Sequence, residues 1–117
     1  MRKYYQVEGF EINHEMLEVA RARCPGVPFH EGDMVFLELA NRFDVVTCLF
    51  AAIGYVKSIE NMYQSNSKMA LHLNSNGLLI IEPWFYPENY WLGRVTTNFV
   101  DQPNLKIAWM YVSEKKL

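Results

Sequence analysis

Val7-Glu8-Gly9-Phe10-Glu11-Ile12-Asn13, continued by His14-Glu15-Met16-Leu17, decides how the rest of the chain is read. An apolar run from Val7 to Ile12 reads as a short strand carrying an acid near its end, and a helix starts at once. Asn13 is a good cap for that helix, because its side chain can accept a bond from a first-turn backbone N–H. Met16, Leu17, Val19 and Ala20 follow at helical spacing. Arg21 and Arg23 fall near the C-terminal end, where the helix dipole favours cations, and Pro25-Gly26 stops the helix. An acid at the carboxyl end of a parallel strand is placed to grip ribose hydroxyls in a nucleotide-binding α/β sheet. Only ten residues precede Glu11, and no Gly-rich loop lies among them. The stretch reads as the second half of a cofactor site without its first half.

Outward from there, strands and helices alternate. Val27 to His30 reads as a second short strand, with a turn at Glu31-Gly32-Asp33-Met34. Phe43 to Phe50 is the strongest strand, nearly continuous in apolar and β-branched residues, as expected of a strand covered on both faces. Ala51 to Tyr55 reads as a loop. Ser58 can cap a helix running to about Leu73, and Asn74-Ser75-Asn76-Gly77 reads as a turn before a buried strand, Leu78 to Ile81. Val95 to Val100 and Lys106 to Val112 alternate in polarity around Gln102-Pro103-Asn104, which suggests an antiparallel pair. The βα order over residues 7–82 predicts an α/β layer with mostly parallel strands flanked by helices. Ligands in such sheets bind beyond the carboxyl ends of the strands. The residues to read for chemistry are therefore Glu11, Asp33, Phe50 to Tyr55, and Glu82 to Tyr86.

The bulk properties set limits. A chain of 117 residues favours one domain. Half of the residues are hydrophobic, a globular composition. With 11 basic and 13 acidic residues, the net charge of -2 gives no electrostatic reason to expect nucleic acid or a membrane surface. Lys115-Lys116 reads as a solvated end. Met1-Arg2-Lys3 is followed by no apolar h-region, and no apolar run approaches the roughly 20 residues of a membrane span. Two distant cysteines, Cys24 and Cys48, fit a reduced, cytoplasmic setting and small core roles better than a disulfide. His14, His30 and His72 do not fall at metal-ligand spacing, so no metal site is expected. His14 reads as a first-turn surface residue and His72 as a helix-end cation partner.

Taken together, the strand ends resemble the class I S-adenosylmethionine-dependent methyltransferases. The matching pieces are the segment Glu11 to Ala20, then Gly32-Asp33-Met34, Phe43-Asp44-Val45-Val46, and Leu78-Leu79-Ile80-Ile81-Glu82. Cys48 to Tyr55 and Glu82 to Glu88 look like the branch that N-methylates nucleotide-linked amino sugars. There the fourth strand runs into a Phe-small-small-Ile-Gly-Tyr segment, and the fifth ends in Glu-Pro-Trp. The resemblance spans about residues 7–112. It implies a partial Rossmann-like methyltransferase sheet followed by an antiparallel strand pair, with residues 1–90 as an incomplete core and 91–117 as the start of a substrate-side segment.

The resemblance also implies roles. S-adenosylmethionine would be the cofactor and a small-molecule amine the acceptor. Glu11 and its neighbour Ile12 would lie at the ribose. Asp33 would face the adenine amino group, and Met34 would pack on the ring. Phe50 would line the methionine pocket, while Tyr55, Trp84, Phe85 and Tyr86 would wall the acceptor side. An amine acceptor must lose a proton, so a His or Tyr base is conceivable, but no catalytic residue is assigned. The family's first strand normally sits mid-sheet, between the strands of Glu11 and Phe50. Its Gly-rich loop and that strand have no counterpart here, so both neighbours are expected to lack a ladder partner. A rival reading is a non-catalytic, truncated remnant that binds a partner or itself through unpaired strand edges and exposed aromatics. A further rival, a nucleotide-binding oxidoreductase fragment, fits the acid-ended strands but fits the Gly-Asp-Met turn and the Glu-Pro-Trp end poorly.

Overall fold

The structure is a computed structural model that describes residues 3–83 and 92–114. The chain divides into two compact units, Met1–Trp84 and Phe85–Leu117. In the first, the order is β1 (Gly9–Glu11), α1 (His14–Arg23), β2 (Phe29–Glu31), a 3-10 turn (Met34–Phe36), β3 (Phe43–Cys48), a second 3-10 turn (Ala52–Val56), α2 (Ile59–Leu71) and β4 (Leu73–Ile81). The second holds β5 (Val95–Gln102) and β6 (Leu105–Val112), an antiparallel hairpin paired from Val95↔Val112 to Gln102↔Leu105.

Capping sets both helices where the sequence places them. The Asn13 side chain accepts from the Met16 amide, and Arg21 and Arg23 lie in the last turn of α1. Ser58 accepts from the Asn61 amide at the start of α2. Gly26 follows α1 at a positive φ of 84°, which glycine adopts without steric cost. The reading of Asn74–Gly77 as a turn is corrected. These residues lie inside β4 as a bulge, because Phe43 pairs with Leu73 while Val45 already pairs with Leu78. Asn76 takes the left-handed conformation there (φ 63°) and the Asn74 amide group donates to Asp44 Oδ1 (3.0 Å), so polar residues absorb the extra length. The loop read at Ala51 to Tyr55 is largely a 3-10 turn.

β1 and β2 form one parallel pair, and β3 and β4 another. Among the described residues no ladder joins the two. They are held by a shared core instead: Val35, Leu37, Cys48, Ile53, Val56 and Met69 are buried, and Phe10, Met34, Val46, Leu79 and Ile81 pack against them. Leu17, fully buried, secures α1. A methylene in this core is worth about 0.8 kcal/mol, so non-directional burial can do here what strand pairing does not.

The strands β3 and β4 are not covered on both faces, contrary to their apolar reading. Val46, Cys48, Leu79 and Ile81 face the core. On the other face Val45 and Thr47 pair in register with Leu78 and Ile80, and all four are exposed. The two helices lie elsewhere: α1 packs on β1 and β2, and α2 packs on the first 3-10 turn and on β4 through the core side that holds Met69.

His72 closes the fold of this unit. It is buried, its Nδ1 lies 2.7 Å from the Lys68 carbonyl, and its Nε2 lies 2.8 Å from the Leu39 amide. A carbonyl only accepts and an amide only donates, so these partners assign a neutral ring with its proton on Nδ1. The expectation of a cationic helix-end partner is therefore corrected. The sequence shows a histidine near a helix end, but the tertiary partner that forces neutrality is 33 residues away.

Candidate functional site

The carboxyl ends of β1 and β2 bring several acids together. Glu11 and Glu31 are register partners at the last rung of the pair. The Gly32 amide then donates to the Glu11 carbonyl (2.9 Å), which brings the turn that holds Asp33 to the end of β1. Gly32 permits this approach: a Cβ there would lie 2.7 Å from the Phe10 ring. Glu11 Oε1 accepts from the Asn13 amide (2.8 Å), which orients the carboxylate over the start of α1. A carboxylate has about four acceptor positions, so this bond leaves capacity for hydroxyl donors. Ile12 is exposed next to it.

Asp33 caps the first 3-10 turn, its Oδ1 accepting from the Val35 amide (2.9 Å). Met34, partly buried against the core, follows immediately. The sequence places His14 at the surface, in the first turn of α1. It is exposed, and its Nδ1 also lies 3.1 Å from Glu31 Oε2. The hydrogen bond and charge of Glu31 raise the His14 pKa. Glu11, Glu31 and Asp33 thus form an acid-lined end suited to ligand hydroxyls and amines, and poorly suited to a phosphate. Glu31 received no role from the sequence; the signal that could have found it is its place at the carboxyl end of a strand.

A second group sits at the carboxyl ends of β3 and β4. Phe50 and Ala51 are both left-handed (φ 56° and 59°). The Phe50 amide donates to Glu82 Oε2 (3.0 Å) and the Ala51 amide to the Glu82 carbonyl (3.1 Å). Phe50 is 85% exposed and Tyr55 82% exposed. Residues in sparsely populated backbone regions cost of order 1–3 kcal/mol each and cluster at ligand sites.

The structure therefore gathers Glu11, Ile12, Asp33 and Met34 at one pair of strand ends, and Phe50 and Tyr55 at the other. Trp84, Phe85 and Tyr86, expected on the acceptor side, lie outside the described residues, as do Tyr90, Trp91 and Lys115-Lys116. Among the described residues, no three His, Cys, Asp or Glu side chains form a metal-binding group. No described helix is long and apolar enough to cross a membrane. Cys24 and Cys48 are both free thiols, and burial raises the pKa of Cys48.

The methyltransferase domain family matches residues 1–77. The chain belongs to that family. It is 37% identical over 95 residues to a dTDP-3-amino-3,6-dideoxy-alpha-D-glucopyranose N,N-dimethyltransferase of Streptomyces fradiae, covering 81% of this chain and 37% of the relative. A dTDP-3-amino-3,4,6-trideoxy-alpha-D-glucopyranose N,N-dimethyltransferase of Streptomyces venezuelae is 31% identical over 107 residues, 92% of this chain and 45% of that one. The chain thus spans about two fifths of the length of the curated relatives it matches.

Solved structures agree with the fold. CalS10, an amino pentose methyltransferase of Micromonospora echinaspora solved with S-adenosylmethionine bound, superposes with a TM-score of 0.86 at 37% identity, over 95% of this chain and 47% of its own. DesVI of Streptomyces venezuelae gives 0.88 at 31% identity, over 93% and 46%. The sheet described above is accordingly the Rossmann-like methyltransferase fold.

Proposed function

We propose that this chain carries part of the cofactor and acceptor site of an S-adenosylmethionine-dependent methyltransferase acting on the amine of a nucleotide-linked amino sugar. The observation that carries the reading is the bond from the Gly32 amide to the Glu11 carbonyl, which brings the turn that holds Asp33 to the strand end that holds Glu11. Such a pair suits a ribose diol and an adenine amino group, both hydrogen-bond donors. The kinship to amino-sugar N,N-dimethyltransferases supports the acceptor class. S-adenosylmethionine would supply an electrophilic methyl group. Glu11 and Ile12 would hold its ribose, Asp33 and Met34 its adenine, and Phe50 its methionine side. Tyr55, with Trp84, Phe85 and Tyr86, would wall the acceptor. The work asked of these residues is alignment and exclusion of water rather than activation of a strong nucleophile. Residues 1–90 would form the cofactor core and 91–117 the beginning of the substrate side, in a soluble, cytoplasmic setting.

Calorimetric titration of this chain with S-adenosylmethionine tests the reading. Saturable binding at micromolar concentrations is the expected result. A folded chain that takes up no cofactor removes the assignment.

A second reading rests on the ladder edges of the two parallel pairs that are open among the described residues, and on the exposed face of β3 and β4. Those edges could pair with their counterparts in a second copy, making the chain a self-associating module.

A further inference from the structure

Glu82 makes one hydrogen bond to the last residue of β3 and two to the loop that follows it. Its amide donates to the Cys48 carbonyl (2.9 Å), its carbonyl accepts from the Ala51 amide (3.1 Å), and its Oε2 accepts from the Phe50 amide (3.0 Å). Between these anchors lie the two consecutive left-handed residues, Phe50 and Ala51. Neither is a glycine, and such backbone persists only where its surroundings over-determine it. Glu82 is that surrounding: it takes up both amides of the turn. The turn stands at the carboxyl ends of β3 and β4, the side of the sheet where ligands bind. It leaves the Phe50 ring exposed and leads directly into the 3-10 turn that carries the exposed Tyr55. Two aromatic rings held away from the core on a pinned, strained turn suit a ligand wall better than they suit packing.

We propose that Glu82 is a positioning residue, whose carboxylate, through the Phe50 amide, holds the 50–51 turn in the conformation that presents Phe50 and Tyr55 to the ligand. The identity of that ligand rests on the methyltransferase reading above. The carboxylate itself need not touch it.

Two measurements on this chain test the role: amide hydrogen exchange by NMR, and calorimetric titration with S-adenosylmethionine. Glu82→Ala is expected to speed exchange of the Phe50 amide by at least about tenfold, the loss expected for one charge-assisted hydrogen bond. The Val46 and Ile80 amides, which face the partner strand in the β3–β4 ladder, should keep their protection. Glu82→Gln, which retains an acceptor oxygen, should keep most of the protection at Phe50. Glu82→Ala should also weaken cofactor binding by about tenfold on the same grounds. Adding Ala51→Gly should recover much of that loss, because glycine takes the left-handed conformation without Cβ strain. Unchanged exchange at Phe50 in Glu82→Ala overturns the proposal. So does faster exchange spread evenly along β3 and β4, which marks a general stabilising role. Equal loss of affinity with and without Ala51→Gly overturns it too, by making Glu82 a direct ligand contact. If the unsubstituted chain binds no S-adenosylmethionine, the proposed cofactor fails, and the exchange pattern at Phe50 still decides the part of Glu82.

Discussion

Glu11 is the residue on which the proposed cofactor site turns. It ends β1, is aimed by the Asn13 amide, and is joined through its carbonyl to Gly32, the residue before Asp33. If it holds a ribose diol, Glu11→Ala should weaken S-adenosylmethionine binding by at least about tenfold, through loss of charge-assisted hydrogen bonds. Unchanged affinity in the calorimeter removes the assignment. Glu8, three residues earlier, has a structural part that the sequence did not reveal. Its carboxylate accepts from Asn41 (2.6 Å) and meets His30 Nε2 (2.8 Å), and only 16% of its side chain is exposed. The Asn41 bond first, and then His30, lower its pKa. A depressed carboxylate contributes stability that is present above its unfolded pKa and lost as pH falls through the folded one. Urea unfolding between about pH 7 and about pH 3 should therefore show an acid-side loss that Glu8→Gln flattens. A wild-type and variant difference that stays constant over that range counts against the bond network. Glu11 was legible because a strand end followed by a cap is a local pattern. Glu8 was not, because both of its partners come from distant segments.

At the scale of elements, the local signals carried far. Asn13 and Ser58 cap the helices that the apolar spacing predicts, and Pro25-Gly26 follows the first. The hairpin of β5 and β6 forms where alternation and the Pro103-Asn104 turn place it. The misreading at Asn74–Gly77 has a physical origin: polar residues that favour turns also favour bulges, and only register against β3 distinguishes them. His72 is the element-scale contact that sequence reasoning missed. It ties the end of α2 to Leu39, in the segment that leads to β3. His72→Phe fills similar space but leaves the Leu39 amide and the Lys68 carbonyl without this partner. It should cost about 1–3 kcal/mol, read as a lower urea midpoint. A midpoint within error of wild type would show that water replaces both bonds.

At the largest scale, two parallel pairs share a core but, among the described residues, no ladder, and Val45, Thr47, Leu78 and Ile80 leave one face of β3 and β4 exposed. If open edges pair copies of the chain, sedimentation equilibrium should show mass rising with concentration. Val45→Lys and Ile80→Lys, which charge the bare face beside those edges, should lower that mass. A concentration-independent monomer removes the self-association reading. The amino-acid sequence by itself determined the α/β order, the helix caps, the hairpin and the family resemblance of the strand ends, because each is written in neighbouring residues. Tertiary structure alone decided which strand faces are covered, that His72 is neutral, that Asn74–Gly77 is a bulge, and that Glu82 pins the strained turn at Phe50 and Ala51. Those outcomes depend on partners about 30 or more positions away, or on which elements reach a given face, and local composition carries no record of either.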